Sequence, residues 1–308
     1  MSTLEQNISA YQRGFTANTS PLHAALIVEE VARECKDIGT PVDMVILDAK
    51  AVFDVVDHQH LLRCVYHSGI KDRHWSIINS IHTNAQSVVK WADSRSEPFP
   101  VLQGVRQGGI LSTDLYKIYV NPLLKRLEST DHGCTIGDIK CNASACADEI
   151  TINSTNSQET KVLTSMAEDF ANCERYILQP TKSEALKVLQ RDSKSPNTDN
   201  FEIYCKQITN SKVSTHLGLK RSVTIRSSAE ENVDNNIQKA RRSVYSFMST
   251  GFHGAGGLDI PTMLHIMKVF VIPILLYGLE VILPRQTLMD KLELCQKRIL
   301  KQLFSIAT

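Results

Sequence analysis

Apolar positions recur along the first two thirds of the chain at two alternating periods. Leu26, Ile27, Val31 and Cys35 share one face of a helix predicted over Leu22–Cys35, with Ser20-Pro21 as its start signal. Val42–Leu47 is a short apolar run of strand length that ends at Asp48. Helical spacing returns at His60–His67 and Arg73–Ala85, and a strand is expected at Ser87–Trp91. Pro98 and Pro100 mark a loop before a helix over Thr113–Leu127, whose Leu115, Ile118, Tyr119, Leu123 and Leu127 face inward. Ile139–Ala147 and Ile150–Asn153 read as the strands of one hairpin with Asp148-Glu149 at its turn. A helix over Lys161–Ile177, a polar loop at Arg191–Asn200, and strands near Phe201–Tyr204 and Ser214–Leu219 follow. From about Ile225 the pattern is helical to the end. Strands mixed with helices, then helices alone, predict an α+β fold with a helical appendage.

Length and composition change this picture little. The 308 residues suit one large domain or two to three smaller ones, and 42% hydrophobic with 22% charged residues is ordinary for a globular chain. The formal net charge is +1, divided as −2 over residues 1–225 and +3 over 226–308. That excess is too small to argue nucleic-acid binding by itself. Eight cysteines stand at 35, 64, 134, 141, 146, 173, 205 and 295, and no pair has the C-x-x-C spacing of a zinc site. They read as reduced thiols of an intracellular protein, nuclear or cytoplasmic, without a signal peptide. Met263–Leu283 is long and apolar, but Lys268, Pro273 and Glu280 interrupt it, so a buried helix pair is expected there and no membrane partner.

Three stretches carry chemistry. An apolar strand delivers Asp48, and about a hundred residues later a second delivers Asp148 with Glu149 beside it. Acidic groups on neighbouring strands hold paired Mg²⁺ ions that clamp the attacking and leaving oxygens of a phosphoryl transfer. Between them, Gly104–Ser112 (GVRQGGILS) is a glycine- and glutamine-rich turn opening a helix, where backbone can approach a ligand closely.

These stretches, in this order, resemble the reverse transcriptase domain of LINE-type, non-LTR retrotransposons. Gln12-Arg13-Gly14-Phe15-Thr16 with Thr19-Ser20 resembles the family's Q-x-GF-x-x-x-x-S segment, and Asp48–His58 (DAKAVFDVVDH) the motif bearing the first catalytic Asp. Gly104–Ser112 resembles GVRQG-x-x-LSP almost letter for letter. Cys146-Ala147-Asp148-Glu149 stands where the family has Tyr/Phe-Ala-Asp-Asp, Pro180–Ser183 resembles N-x-x-K-S/T, and Leu217-Gly218 the turn that grips the primer.

The resemblance implies a right-hand polymerase: a remnant of fingers over 1–40, a palm over 41–225 (antiparallel sheet backed by helices), and thumb-like helices over 226–308. It implies two Mg²⁺ ions on Asp48, Asp148 and Glu149, and Lys182 as general acid for the pyrophosphate leaving group. Phe53 would exclude a 2′-OH, while Arg106, Gln107 and Gly108 would lie near the incoming nucleotide and template. Gly218, Lys239, Arg241 and Arg242 would contact nucleic acid. An RNA template, a DNA primer and deoxynucleotide triphosphates are the implied partners. Plainer roles stand beside these: core packing for Phe53, a solvated loop for Lys182, a solvated helix face for the three basic residues.

The chain departs from the family at three places. Glu149 adds a methylene to a metal ligand, Cys146 replaces an aromatic residue, and Lys50 precedes Ala51-Val52 where the family has Lys-Ala before Phe. Only eleven residues precede Gln12, so finger strands are expected to be missing. Two functions follow: an RNA-directed DNA polymerase, or a palm-fold remnant without activity that binds RNA. Glu149 and the short N-terminal part favour low or no activity.

Overall fold

The computed structural model describes residues 7–189, 199–251, 253–254 and 257–306. Of the polar loop expected at Arg191–Asn200, residues 191–198 lie outside the described residues. The chain divides into two compact units: Met1–Lys187 with Lys194–Ser211, and Val188–Ser193 with Lys212–Thr308.

The first unit is built on a five-stranded sheet. Its strands are β1 (Val42–Leu47), β2 (Ala143–Cys146), β3 (Glu149–Ser154), β4 (Glu184–Val188) and β5 (Thr209–Asn210), in the order β5-β4-β1-β3-β2. β1 runs antiparallel to β3 with Asp43 opposite Ser154 and Leu47 opposite Ile150. β2 and β3 form a hairpin with Cys146 opposite Glu149. All six residues of β1 are buried, Asp43 included. A strand read as continuous apolar sequence is covered on both faces, and a central place between β4 and β3 delivers that.

Five helices complete the unit: α1 (Pro21–Asp37), α2 (His58–His67), α3 (Asp72–His82), α4 (Ser112–Ser129) and α5 (Ser157–Glu174). Tyr116, Leu123, Leu124 and Leu127 of α4 share one core with Val45, Leu47, Ile150 and Ile152 of the sheet and Leu163 and Ala167 of α5. Polar side chains end the helices cleanly. Asp57 accepts the backbone N–H groups of Gln59 and His60 at 3.0 Å each, and Asn156 accepts that of Gln158. Each such cap is worth about 1 kcal/mol. Residues 7–37, expected as part of the fingers, belong to this unit: Tyr11 lies in its core, and the Ser144 hydroxyl donates to the Ala24 carbonyl at 3.2 Å.

Three local expectations need correction. The strand at Ser87–Trp91 is two ribbons instead: Gln86–Ser87 pairs with Phe99–Pro100, and Lys90–Trp91 with Ser94–Arg95. Val88, Val89 and Trp91 are exposed, so their apolar character did not mark a core strand. The run Ile139–Ala147 breaks in two, Ile139–Lys140 pairing with Thr135–Ile136 before β2 begins. The β2–β3 turn is Ala147-Asp148, one residue earlier than expected, and Glu149 already belongs to the ladder. β4 was not anticipated, because Glu184 and Lys187 interrupt its apolar run.

In the second unit, β6 (Val213–His216) and β7 (Leu219–Ser222) form a hairpin whose turn, Leu217-Gly218, has positive φ at both residues (50° and 81°). That is the pattern of a two-residue type I′ turn. Asn232 of α6 (Ile225–Ser249) accepts the Lys220 N–H at 2.8 Å and donates to the Lys220 carbonyl at 2.7 Å, which ties the hairpin to the helix. The apolar segment continues as α7 (Ile260–Ile266), a π-helical stretch (Met267–Val271), α8 (Ile272–Leu276) and α9 (Leu279–Ile282). Its mean hydropathy of 1.8 is high enough for a membrane span. Met263, Met267, Val271, Leu275 and Leu279 nonetheless pack with Val233, Ile237 and Val244 of α6 and Leu292 and Ile299 of α10 (Gln286–Leu303).

Leu123 is fully buried in the first core, whereas Ile110 is 95% exposed. Leu123→Ala is expected to cost about 2–5 kcal/mol of unfolding free energy in urea, and Ile110→Ala within about 0.5 kcal/mol. Equal costs would contradict the assignment of the core.

Candidate active site

The end of β1 and the β2–β3 turn bring two carboxylates into one field. Asp48 directly follows β1, and Asp148 is the second residue of the turn. The pKa of Asp48 is raised, first by burial and further by the negative charge of Asp148, while Lys182 works in the opposite direction. Three residues expected to act together, Asp48, Asp148 and Lys182, are thus electrostatically coupled.

Asp48 is held from below by the loop before β4. Gln179 Nε2 donates to Asp48 Oδ2 at 3.0 Å, and the Gln179 N–H donates to the Asp48 carbonyl at 2.8 Å. The Asp48 N–H donates to the buried Ser183 Oγ at 3.1 Å, and the Lys50 N–H to the Ile177 carbonyl at 2.8 Å. Lys182 itself is exposed. Beneath the carboxylates lies a buried pair, Tyr116 and Tyr176, whose hydroxyls are 3.0 Å apart. Burial pushes both phenols well up, and Asp148 adds to the shift in each.

The Asp148 turn is strained. Ala147, its first residue, has φ +60°, a conformation that costs a residue with a Cβ about 1–2 kcal/mol. Its backbone is gripped by the buried side chain of Gln12. Gln12 Oε1 accepts the Ala147 N–H at 3.0 Å, and Nε2 donates to the Ala147 carbonyl at 3.3 Å. Gly14 is required beside it, since a Cβ there would fall 2.2 Å from the Ala147 nitrogen.

The GVRQGGILS turn is stitched to the loop after Asp48. The Gly104 N–H donates to the Val56 carbonyl and the Val105 N–H to the Phe53 carbonyl, both at 2.7 Å. Gly104 has φ +91°, and a Cβ would sit 2.9 Å from the Asp54 carbonyl oxygen. Gln107 Nε2 donates to Asp54 Oδ1 at 3.1 Å, so Asp54 braces the loop. Arg106 is exposed, and its carbonyl accepts the Ser112 hydroxyl. Space is open around Gly108, where an added Cβ would meet nothing within 4 Å. The half-buried Phe53 ring lies 5.1 Å from that of Tyr116 and 6.1 Å from that of Phe15. A cleft of about 950 Å³ opens beside the turn between Asp54, His58, His82 and Ile110.

The expected metal set is only partly assembled. Among the described residues no group of three or more His, Cys, Asp or Glu stands close enough to hold an ion, so Asp48, Asp148 and Glu149 do not form a three-carboxylate cluster. Asp148 lies in the turn beyond the last ladder pair, and Glu149 lies within the ladder, so the two leave the backbone at different levels. The donor chemistry of Asp48 and Asp148 fits a hard divalent cation. Mg²⁺ takes one or two carboxylates and completes its shell with water or phosphate oxygen. Burial, the main cause of the raised pKa of Asp48, with Asp148 adding a smaller push, is what such a cation would offset.

In the second unit, Gly218 packs against Tyr277, whose hydroxyl donates to the Leu217 carbonyl at 2.9 Å. Arg241 lines a groove of about 260 Å³ with Lys291 and Arg298 of α10, while Lys239 and Arg242 are exposed on α6. Gln12, Gln179 and the tyrosine pair were not singled out from sequence. Gln12 stood inside a recognised segment. Gln179 sat one residue before another, and the tyrosines looked like any core of α4 and of the loop after α5.

A carboxyl whose pKa is higher in the folded than in the unfolded chain favours folding at acid pH. That contribution is lost as the pH rises through the folded pKa, so at pH 7 the ionised Asp48 opposes folding. Asp48→Asn is therefore expected to melt at or above the wild-type temperature at pH 7 in EDTA, with the gap closing as the pH falls through the carboxylate range. A variant that melts below wild type at pH 7 would contradict the raised pKa of Asp48.

The model of the family described as "Reverse transcriptase (RNA-dependent DNA polymerase)" matches residues 1–220. The chain is 26% identical over 141 residues to the "Retrovirus-related Pol polyprotein from type-1 retrotransposable element R2" of Popillia japonica, 45% of this chain and 20% of that protein. It is also 26% identical over 126 residues to the "Transposon TX1 uncharacterized 149 kDa protein" of Xenopus laevis, 40% of this chain and 10% of that one. The chain therefore spans a fifth or less of the length of these relatives. In fold it is similar to telomerase of Candida albicans in complex with a fragment of telomeric RNA (TM-score 0.52, 10% identity, 98% of this chain and 55% of that one). It is likewise similar to apo telomerase of Candida tropicalis (TM-score 0.51, 12% identity, 95% and 48%). With the family model covering well over half of its length, the chain belongs to the reverse transcriptase family.

Proposed function

We propose that the chain is the palm and thumb-like part of an RNA-directed DNA polymerase, with Asp48 and Asp148 as its metal ligands. The observation that carries this reading is that β1, paired with β3, ends at Asp48 beside the β2–β3 turn that bears Asp148. Mg²⁺ ions held there would neutralise charge on the attacking 3′-oxygen of a primer and on the α-phosphate of a deoxynucleotide triphosphate. Asp48, with Oδ2 held by Gln179, offers its other oxygen in a set direction. Lys182, in the same field, would be placed to donate a proton to a leaving pyrophosphate.

The ring of Phe53, backed by Tyr116, would lie under the sugar and leave no room for a 2′-OH. The open space over Gly108 and the exposed Arg106 would admit template and nucleotide. The groove of Arg241, Lys291 and Arg298, with Lys239 and Arg242 beside it on α6, suits backbone phosphates of an RNA template and DNA primer. Eight free cysteines support an intracellular setting.

A second reading, a palm that binds RNA without polymerising, rests on Glu149 and on the incomplete carboxylate cluster. Catalysis by positioning loses ~100-fold when a group shifts by about 1 Å, and one methylene is of that order.

Primer extension on an RNA template with Mg²⁺ or Mn²⁺ separates the two. Wild type is expected to extend well below about 1 s⁻¹. Glu149→Asp should be roughly 10–100-fold faster, and Asp48→Asn should be inactive. Extension by Asp48→Asn at the wild-type rate would sink the active-site assignment. No extension by either wild type or Glu149→Asp would favour the binding palm.

A further inference from the structure

We infer that Gln12 is a positioning residue for Asp148, acting by clamping the strained Ala147 peptide; this rests on the reading of Asp148 as a metal ligand. The clamp is two-sided. The Gln12 amide accepts the Ala147 N–H at 3.0 Å and donates to the Ala147 carbonyl at 3.3 Å, as a neighbouring strand would. A two-residue turn offers its first residue no such partner, and this one holds a residue with a Cβ at φ +60°. Left alone, that backbone would relax, and the next side chain, Asp148, would move with it.

Gln12 is itself fixed before it acts. It is 2% exposed, and its Oε1 also accepts the Gly14 N–H at 2.8 Å. The backbone on either side extends the sheet past β2. The Ala145 N–H donates to the Tyr11 carbonyl at 3.0 Å, and the Arg13 N–H donates to the Ala145 carbonyl at 2.8 Å. Gly14 lets this segment lie directly on the turn, where any Cβ would collide with the Ala147 nitrogen. A buried amide that pairs with both backbone groups of one residue in a carboxylate-bearing turn goes beyond filling space. It is the counterpart, for Asp148, of Gln179 on Asp48.

The test reads two quantities. Amide exchange by ¹⁵N NMR reports the Ala147 N–H, and Mn²⁺ binding by electron paramagnetic resonance reports the carboxylates. In wild type the Ala147 amide is expected to exchange at least ~10-fold more slowly than an unstructured amide. Gln12→Met keeps the bulk and loses the two hydrogen bonds to Ala147 as well as the one from the Gly14 N–H. It is expected to release the Ala147 amide, leave that of Val45 protected, and weaken Mn²⁺ binding about tenfold. Ala147 protected in the Met variant as in wild type, or Mn²⁺ affinity unchanged once protection is lost, would overturn the inference. Should the Met variant not fold, a wild-type Ala147 amide that exchanges freely overturns it equally. Wild type that binds no Mn²⁺ refutes the metal reading, while exchange at Ala147 still decides the clamp.

Discussion

Asp48 and Asp148 lie in one electrostatic field with Lys182, and distant segments of the first unit fix the two carboxylate-bearing positions in place. Asp48 directly follows a strand buried along its whole length, and Asp148 sits on a turn with a strained backbone. Each is braced from a different part of the chain. Gln179 and Ser183 hold Asp48, and Gln12 and Gly14 hold the Asp148 turn. On the proposed reading, the like charges are kept together for a cation and for the phosphates it would bring.

The braces explain why segments far apart in sequence read as one set. The Gln12 segment completes the turn of β2 and β3, and the Gly104 segment completes the loop after Asp48. Glycine is required at Gly14 and Gly104 because another backbone passes within contact distance of each. Such close approach leaves a plain trace in the amino-acid sequence. It is the physical content of the letters that made the family resemblance legible.

Legibility stopped where local pattern and tertiary placement part. β1 and α4 were readable because burial follows their period. Glu184–Val188 was not, since charged residues at its start and within it hide a strand whose place is set by its neighbours in the sheet. Ser87–Trp91 misled in the opposite direction, with exposed valines and a tryptophan on short ribbons. At the site, residue types pointed to Asp48 and Asp148. They did not point to Gln179, because an amide earns its role through one hydrogen bond across 131 positions. The metal set that the resemblance implies is not assembled as a group of three among the described residues, and Glu149 stands in the ladder while Asp148 stands in the turn.

The central claim is that Asp48 and Asp148 are held together for a divalent cation. A ¹³C NMR titration of the Asp48 carboxyl tests it most directly. Its midpoint should lie above the ordinary aspartate range, fall when Asp148 is replaced by Asn, and fall when Mg²⁺ is added to wild type. A midpoint in or below the ordinary range that responds to neither change would contradict the account.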